Sequence, residues 1–474
     1  MRNALLAGLG GPMGRFARPA GRWFNPLLWS ILVATLLFLV LTVRQLPCIQ
    51  TSSRDNVDAF IRLCYSDISV AWTSQHFGEG ALPLGSDPML HPPLLGLVLL
   101  VVVLLTKWLR PGGVPTPGSA GSALDVQLDQ AQVYFGLVVV ILFVSFLVLV
   151  VCVSFLGRDA LEARRPTWDG LLIAASPVVL ASGLISYDLL GIALCALGLL
   201  QFARSRPAVA GLVLGLAAGV SLTAVAVILA VALTMALRTQ VREVFRFLGP
   251  AAAALAVVHL PLLLSKPQLV LAFYRGELSR EAGYGSLLFA MRFLGWEVRA
   301  AGSLGFMLTC LALVLIVTWL YLRRLRPRLG TVVALFLFPT LLLGASFGPQ
   351  AGLWLLFALV LAAPRRPQLI AFTVTQVLYW LAVWGYLSKH LTLQRSGNPN
   401  LYLLALLLRV GVELWILVDC LRDAAKPGRD ILRTPDVPDP IGGILNDGER
   451  LAGIDEPTLA TEAEAAGIPG RHRP

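Results

Sequence analysis

The sequence predicts an all-α bundle of membrane-spanning helices, and three observations carry that prediction. Of 474 residues, 57% are hydrophobic and 14% charged, with a mean hydropathy of +0.76, too apolar for a water-soluble globule. The apolar residues gather in long runs, and in lipid such runs must satisfy their backbone hydrogen bonds internally, as helices do. The alternating pattern of a membrane β-barrel is missing.

The elements follow in order. Residues 1–26 form a basic N-terminus with Arg2, Arg15, Arg18 and Arg22. The run 27–43 has no small-residue cleavage site behind it and reads as a retained signal anchor. Further runs occupy 134–156, 170–186, 188–203, 208–222, 224–237, 248–264, 303–321, 331–345, 351–363, 368–388 and 401–421. Arginine-rich turns punctuate them: Arg158/Arg164/Arg165, Arg204/Arg206, Arg238/Arg242/Arg246, Arg323/Arg324/Arg326/Arg328 and Arg365/Arg366. The positive-inside bias places these turns in the cytoplasm.

Parity then decides the remaining run, 93–107. As a full crossing it would turn all of those arginines outward. It therefore reads as a re-entrant or interfacial element within a long extracytoplasmic loop, 44–133. About twelve spans follow, with both termini cytoplasmic, a membrane domain over 27–421 and a second outer loop at 265–302. Several spans are short, and the hairpin 208–237 need not cross completely. Residues 422–474, rich in Pro, Gly and acidic side chains, read as a disordered cytoplasmic tail.

The net charge of +11 needs no nucleic-acid partner, because topology explains the basic turns. Cys152, Cys195, Cys310 and Cys420 lie in apolar runs and read as small hydrophobes. Cys48 and Cys64 flank the start of the first outer loop and are disulfide candidates if that loop faces an oxidising compartment. The sequence has no GxxxxGK[ST], no strand-to-helix GxGxxG, no HExxH and no paired CxxC. It shows no metal cluster, and no soluble domain of the size a nucleotide-sugar-binding unit needs.

With this topology Asp67, Asp188, Arg280, Glu281, Pro349 and Gln350 all fall on the extracytoplasmic side. Asp67, in Arg62-Leu-Cys-Tyr65-Ser66-Asp67, is placed to act as a general base on a membrane-proximal substrate. The competing reading is a solvated loop aspartate, since Asp55, Asp58 and Asp87 share the loop. Ser186-Tyr187-Asp188 puts an ionisable residue at a tight outer turn, either functional or a cap for the next helix. Phe273-Tyr274-Arg275-Gly-Glu277 and Ser279-Arg280-Glu281-Ala-Gly283-Tyr284-Gly285-Ser286 set arginines beside aromatics, suited to gripping phosphate or to anchoring at lipid headgroups. Lys389 and His390 follow the span 368–388 on the same side, where a lone His is more often interfacial than catalytic.

In this order and topology the chain resembles the GT-C superfamily, and more narrowly glycosyltransferase family 87, the actinobacterial α-mannosyltransferase-like membrane proteins. The resemblance runs from the first span to residue 433. It rests on Cys64-Tyr65-Ser66-Asp67, Ser176-Pro177 followed by Tyr187-Asp188, Gly211 to Gly219, Arg280 to Ser286, and Gly348-Pro349-Gln350 before a Trp-containing span. It implies an integral plasma-membrane enzyme that transfers a sugar, generally mannose, from a polyprenyl-phosphate donor to a glycolipid or cell-envelope glycan, with inversion, on the extracytoplasmic face. It calls for no cofactor.

Asp67 and Asp188 are then the catalytic candidates. Tyr65, Ser66, Tyr187, Arg275, Arg280, Glu281, Tyr284, Gln350, Lys389 and His390 are the substrate-binding ones. The chain also departs from the family. Relatives usually have Asn-Trp-Asp where it has Ser186-Tyr187-Asp188, and often a Lys before Tyr-Pro where it has Ser221-Leu-Thr223-Ala224. Where they read roughly Asn-Lys-x-Tyr-Ser-Pro-Gln-Tyr, it has Gly344-Ala345-Ser346-Phe347-Gly348-Pro349-Gln350-Ala351, so two donor-phosphate lysines are missing. Arg275, Arg280 or Lys389 are the cations left to replace them. The alternative is an inactive homologue serving as a scaffold, or a lipid-linked-sugar transporter.

Overall fold

The computed structural model describes residues 25–49, 57–85, 89–111, 120–157, 166–391, 399–430, 432 and 439–446. Helix accounts for 77% of it and no strand occurs among the described residues, which is how an apolar backbone satisfies itself in lipid. The basic N-terminus, the Arg158/Arg164/Arg165 turn, Asp55 and Asp87 lie outside the described residues.

In chain order the helices are α1 (Pro26–Ile49), α2 (Val57–Ile61), α3 (Asp67–Ser74), α4 (Pro93–Leu109), α5 (Ala120–Leu156), α6 (Asp169–Ala174) and α7 (Pro177–Ser182). They continue with α8 (Asp188–Ala203), α9 (Pro207–Val220), α10 (Ala224–Leu237), α11 (Val241–Ser265), α12 (Pro267–Ser279) and α13 (Leu287–Ala290). The last are α14 (Ala301–Leu322), α15 (Leu329–Leu342), α16 (Ala351–Leu361), α17 (Arg366–Leu387) and α18 (Asn400–Ala425). Six of them, α1, α5, α11, α14, α17 and α18, are long and apolar enough to cross a membrane. The other apolar runs of the sequence form shorter helices.

The run 170–186 is not one helix but two. Ser176 caps α7, its hydroxyl accepting from the Val178 N–H at 3.3 Å, and Pro177 occupies the first helical position, where its missing N–H costs nothing. The core sits in α15 and α16, which are buried on nearly every side. By contrast α1 and α14 turn Leu32, Leu36, Leu39, Phe306, Met307 and Leu311 outward, as lipid-facing helices do. Gly211 and Gly215 let α9 lie directly on α11, because a Cβ at either position would strike the carbonyl of Phe247 or Ala251.

The two ends of the bundle differ in character. At one end the arginine turns converge: Arg238 donates to the Pro327 carbonyl at 3.3 Å, Arg328 to that of Ala362 at 3.3 Å, and Arg365 to Asp423 at 2.9 Å. Helix α8 starts at the other end with Asp188 and finishes here. The described residues after α18, 426–430 and 439–446, also pack at this end. Arg328, 3% exposed, pairs with Asp430 at 2.7 Å and with Asp439 at 3.7 Å, while Ile441 and Leu445 are buried and Gln240 donates to the Ile444 carbonyl. Asp430 and Asp439 are here the partners of a buried cation.

Both ends of α4 lie at the opposite end of the bundle. His91, just before it, packs on Tyr187, and Arg110, just after it, pairs with Asp129 at 3.1 Å near the start of α5. Cys48 and Cys64 are joined as a disulfide with their Cα atoms 5.9 Å apart, tying α1 to the segment that carries Asp67.

Candidate active site

A cavity of about 330 Å³ opens at the end away from the arginine turns. The start of α3 supplies Asp67, the 186–188 turn supplies Ser186, Tyr187 and Asp188, and the tip of the α9–α10 hairpin supplies Ser221 and Thr223. Helix α12 contributes Phe273 and Glu277, the cap position at its end contributes Arg280, and the approach to α4 contributes His91.

Asp67 is held by its backbone. Ser66 caps α3, with its hydroxyl donating to the Leu184 carbonyl, and the Asp67 N–H donates to the Ile185 carbonyl at 2.8 Å. The 64–67 segment is thereby laced to the turn that bears Asp188. Burial pushes the Asp67 carboxyl above the ordinary carboxylate range, and the neighbouring Asp188 charge adds to that rise; a hydrogen bond from Tyr65 opposes it. Tyr65 is wedged between Phe60 and Trp384, with ring centroids at 4.6 and 5.5 Å.

Both Asp188 oxygens are engaged. Ser186 Oγ donates to one at 2.6 Å and the indole N–H of Trp354 to the other at 2.9 Å. The Ser186 hydroxyl also accepts from the Asp188 N–H at 3.4 Å, while the cap position of α8 is held by Tyr187, whose side chain makes no capping hydrogen bond. Tyr187 meets the Tyr134 hydroxyl at 2.9 Å.

Arg280 lines the cavity and Arg275 does not, for a reason of helix phase. Phe273, Glu277 and Arg280 recur at i, i+4 and i+7 along one face, and Arg275 points off it into the exposed surface. Arg280 is paired with Glu277 at 2.7 Å, with half of its side chain still open. Since a guanidinium carries five N–H donors, this contact leaves others for a ligand.

Glu281 and Tyr284 are exposed and lie outside the cavity lining, as do Gln350, Lys389 and His390. Tyr284 packs on Phe289 and Tyr386, and His390 meets Ser388 Oγ at 2.9 Å. The 283–286 and 344–350 motifs instead pair with each other. Gly283 N–H donates to Ala345 at 2.8 Å and Phe347 N–H to Tyr284 at 3.0 Å, while buried Arg409 donates to the Gly285 carbonyl at 2.7 Å beneath the Phe347 ring. Their glycines serve this close approach, since a Cβ on Gly285 would meet Tyr379.

Sequence reading missed His91, Glu277 and Trp354. His91 carried a signal in hindsight, a lone imidazole before Pro92-Pro93 at the head of an apolar run. Trp354 carried one too, as a polar handle inside an apolar helix.

All-helical and multi-pass, with an acid-lined cavity at one end of its bundle, the molecule has the make-up of a membrane glycosyltransferase. The model of glycosyltransferase family 87 matches residues 127–344, which supports a GT-C-like glycosyltransferase of that family. The match takes in Asp188, Ser221 to Thr223 and Arg280, and leaves Asp67, His91 and Gln350 outside it. No curated protein matches the chain.

Proposed function

We propose that the protein transfers a sugar, mannose in the first instance, from a polyprenyl-phosphate donor to a glycolipid or glycan acceptor, with inversion at the anomeric carbon. The observation that carries this reading is the convergence of Asp67, Asp188 and Arg280 on one cavity at the end opposite the arginine turns. With those turns cytoplasmic, the cavity is extracytoplasmic and the protein sits in the plasma membrane with about twelve crossings. The return of both ends of α4 to the cavity end supports α4 as a non-crossing element within the first outer loop.

In this mechanism Asp67 takes the proton of an acceptor hydroxyl as its oxygen attacks the anomeric carbon. The bond from that carbon to the phosphate oxygen breaks, and polyprenyl phosphate leaves with the bonding electrons. Arg280 stabilises the charge that builds on it. The hairpin tip where relatives carry a lysine presents Ser221 and Thr223, which can hydrogen-bond phosphate without neutralising it. Arg280 takes over the charge, since neither Arg275 nor Lys389 lines the cavity. Asp188, tethered by Ser186 and Trp354, fixes the local field and the position of the turn.

The test uses purified full-length protein in lipid nanodiscs with radiolabelled polyprenyl-phosphate-mannose and an extract of host glycolipids. Wild type should move label into a new product, and Asp67→Asn should stay folded and fail to. Normal turnover by Asp67→Asn would remove Asp67 from the mechanism, and a folded wild type that transfers nothing to any acceptor would remove the enzyme reading.

A further inference from the structure

His91 is a cavity residue that this mechanism leaves unused, and it is held from more than one side. Pro92 and Pro93 stiffen the chain behind it as the cap and first residue of α4. Its ring stands edge-on to Tyr187, with centroids 5.5 Å apart and planes at 82°. Its Nε2 lies 3.2 Å from the side-chain amide nitrogen of Gln75, the residue that ends the helix begun by Asp67. One side chain thus bridges the elements that carry both carboxylates.

The contact with Gln75 fixes the tautomer. An amide nitrogen has only protons to offer, so Nε2 accepts and the neutral ring carries its hydrogen on Nδ1. Burial pushes the imidazole down to about 4, which keeps the ring neutral at physiological pH. Nδ1–H has no acceptor among the described residues, and the side chain lines the cavity.

The other polar groups of the cavity divide the work unevenly. Ionised Asp67, Asp188 and Glu277 can only accept hydrogen bonds, and Arg280 is a cation matched to phosphate. The Ser221 and Thr223 hydroxyls go to the same phosphate, and those of Ser186 and Tyr187 are engaged with Asp188 and Tyr134. A sugar hydroxyl also needs a neutral donor for its lone pairs, held at a fixed angle. We propose that His91 is a specificity-determining residue whose Nδ1–H donates to a hydroxyl of the sugar bound in this cavity. This rests on the reading of the cavity as the donor site. A site that pairs a hydroxyl in this way rejects the analogue lacking it, because its own polar group is then left unpaired.

Two amide substitutions separate the two ring nitrogens. His91→Asn sets an amide nitrogen where Nδ1 sits and gives up Gln75; His91→Gln keeps a group at the Nε2 position and loses the inward donor. The measurement is calorimetric binding of a short-chain polyprenyl-phosphate-mannose to full-length wild type, His91→Asn and His91→Gln in nanodiscs, with no acceptor present. We expect His91→Asn to bind close to wild type and His91→Gln to bind about tenfold more weakly or worse. The reverse order would make His91 a prop for α3, and equal affinities or equal losses would make it packing alone; any of the three overturns the assignment. Wild type that fails to bind the probe sinks the donor reading and this proposal with it. Wild-type binding that survives unchanged in His91→Gln sinks the proposal alone.

Discussion

Trp354 connects the buried α16 to a carboxylate of the cavity, and its removal has a calculable effect. Its indole N–H donates to Asp188 at 2.9 Å, and hydrogen bonds to charged groups contribute about 1.5–3 kcal/mol. The ring is 1% exposed and rests on Gly191, where an added Cβ would stand 3.1 Å from it. Trp354→Phe therefore also opens a void, which costs on the order of 1 kcal/mol more. The single variant should lose about 2.5–4 kcal/mol in all. The void persists when Asp188 is replaced by Ala and the hydrogen bond does not, so a double-mutant cycle isolates the bond. Unfolding by sodium dodecyl sulfate in mixed micelles, followed by far-ultraviolet circular dichroism, gives the four free energies without relying on tryptophan emission. A coupling of about 2 kcal/mol is expected. A coupling below about 0.5 kcal/mol would refute the claim that Trp354 tethers this acid.

Two further outcomes follow from the same geometry. In the proposed mechanism Asp67 acts deprotonated, so transfer should fall as pH falls through its raised pKa, at a higher pH than for a solvated aspartate. Asp188→Asn removes a repulsion and should move that acid limb down, whereas Tyr65→Phe removes a stabilising hydrogen bond and should move it up; rate–pH profiles that shift alike in both variants would contradict this account. At the other end, Arg328→Ala leaves Asp430 and Asp439 without their buried cation, a loss of about 3–5 kcal/mol, and should expose residues 439–446 to protease; unchanged protection would show that the tail is held by Ile441 and Leu445 alone.

Much of this architecture was legible in the sequence because hydropathy is a local property. Each apolar run became helical, the long runs at 134–156 and 401–421 within helices that extend further, to Ala120 and Ala425. Asp188 stood out because an acid between two apolar runs is costly unless something engages it. Other features depend on quantities that a linear reading does not carry. Helix phase separates Arg280 from Arg275, five residues apart in one loop, and only the folded α12 shows which one faces the cavity. Distant partners make the rest: Trp354 meets Asp188 across 166 residues, and Arg328 meets Asp430 across 102. Nothing in the residues around Asp430 and Asp439 reveals that their partner is a buried arginine elsewhere.

The enclosure of α15 and α16 bears on how the chain enters the membrane during synthesis. With 14 and 11 residues they are rods of about 21 and 16 Å, against a hydrocarbon layer of ~30 Å. Neither can rest alone in lipid without thinning it. In the finished molecule they contact almost none, because protein surrounds them. Part of that casing, α17 and α18, is translated after them. These two segments therefore have to wait, shielded by the insertion machinery or by α8 and α10 already in place, until the later helices close around them. Chains that stall before residue 425 would leave the most apolar part of the protein uncovered, and would be the ones that cellular quality control removes first.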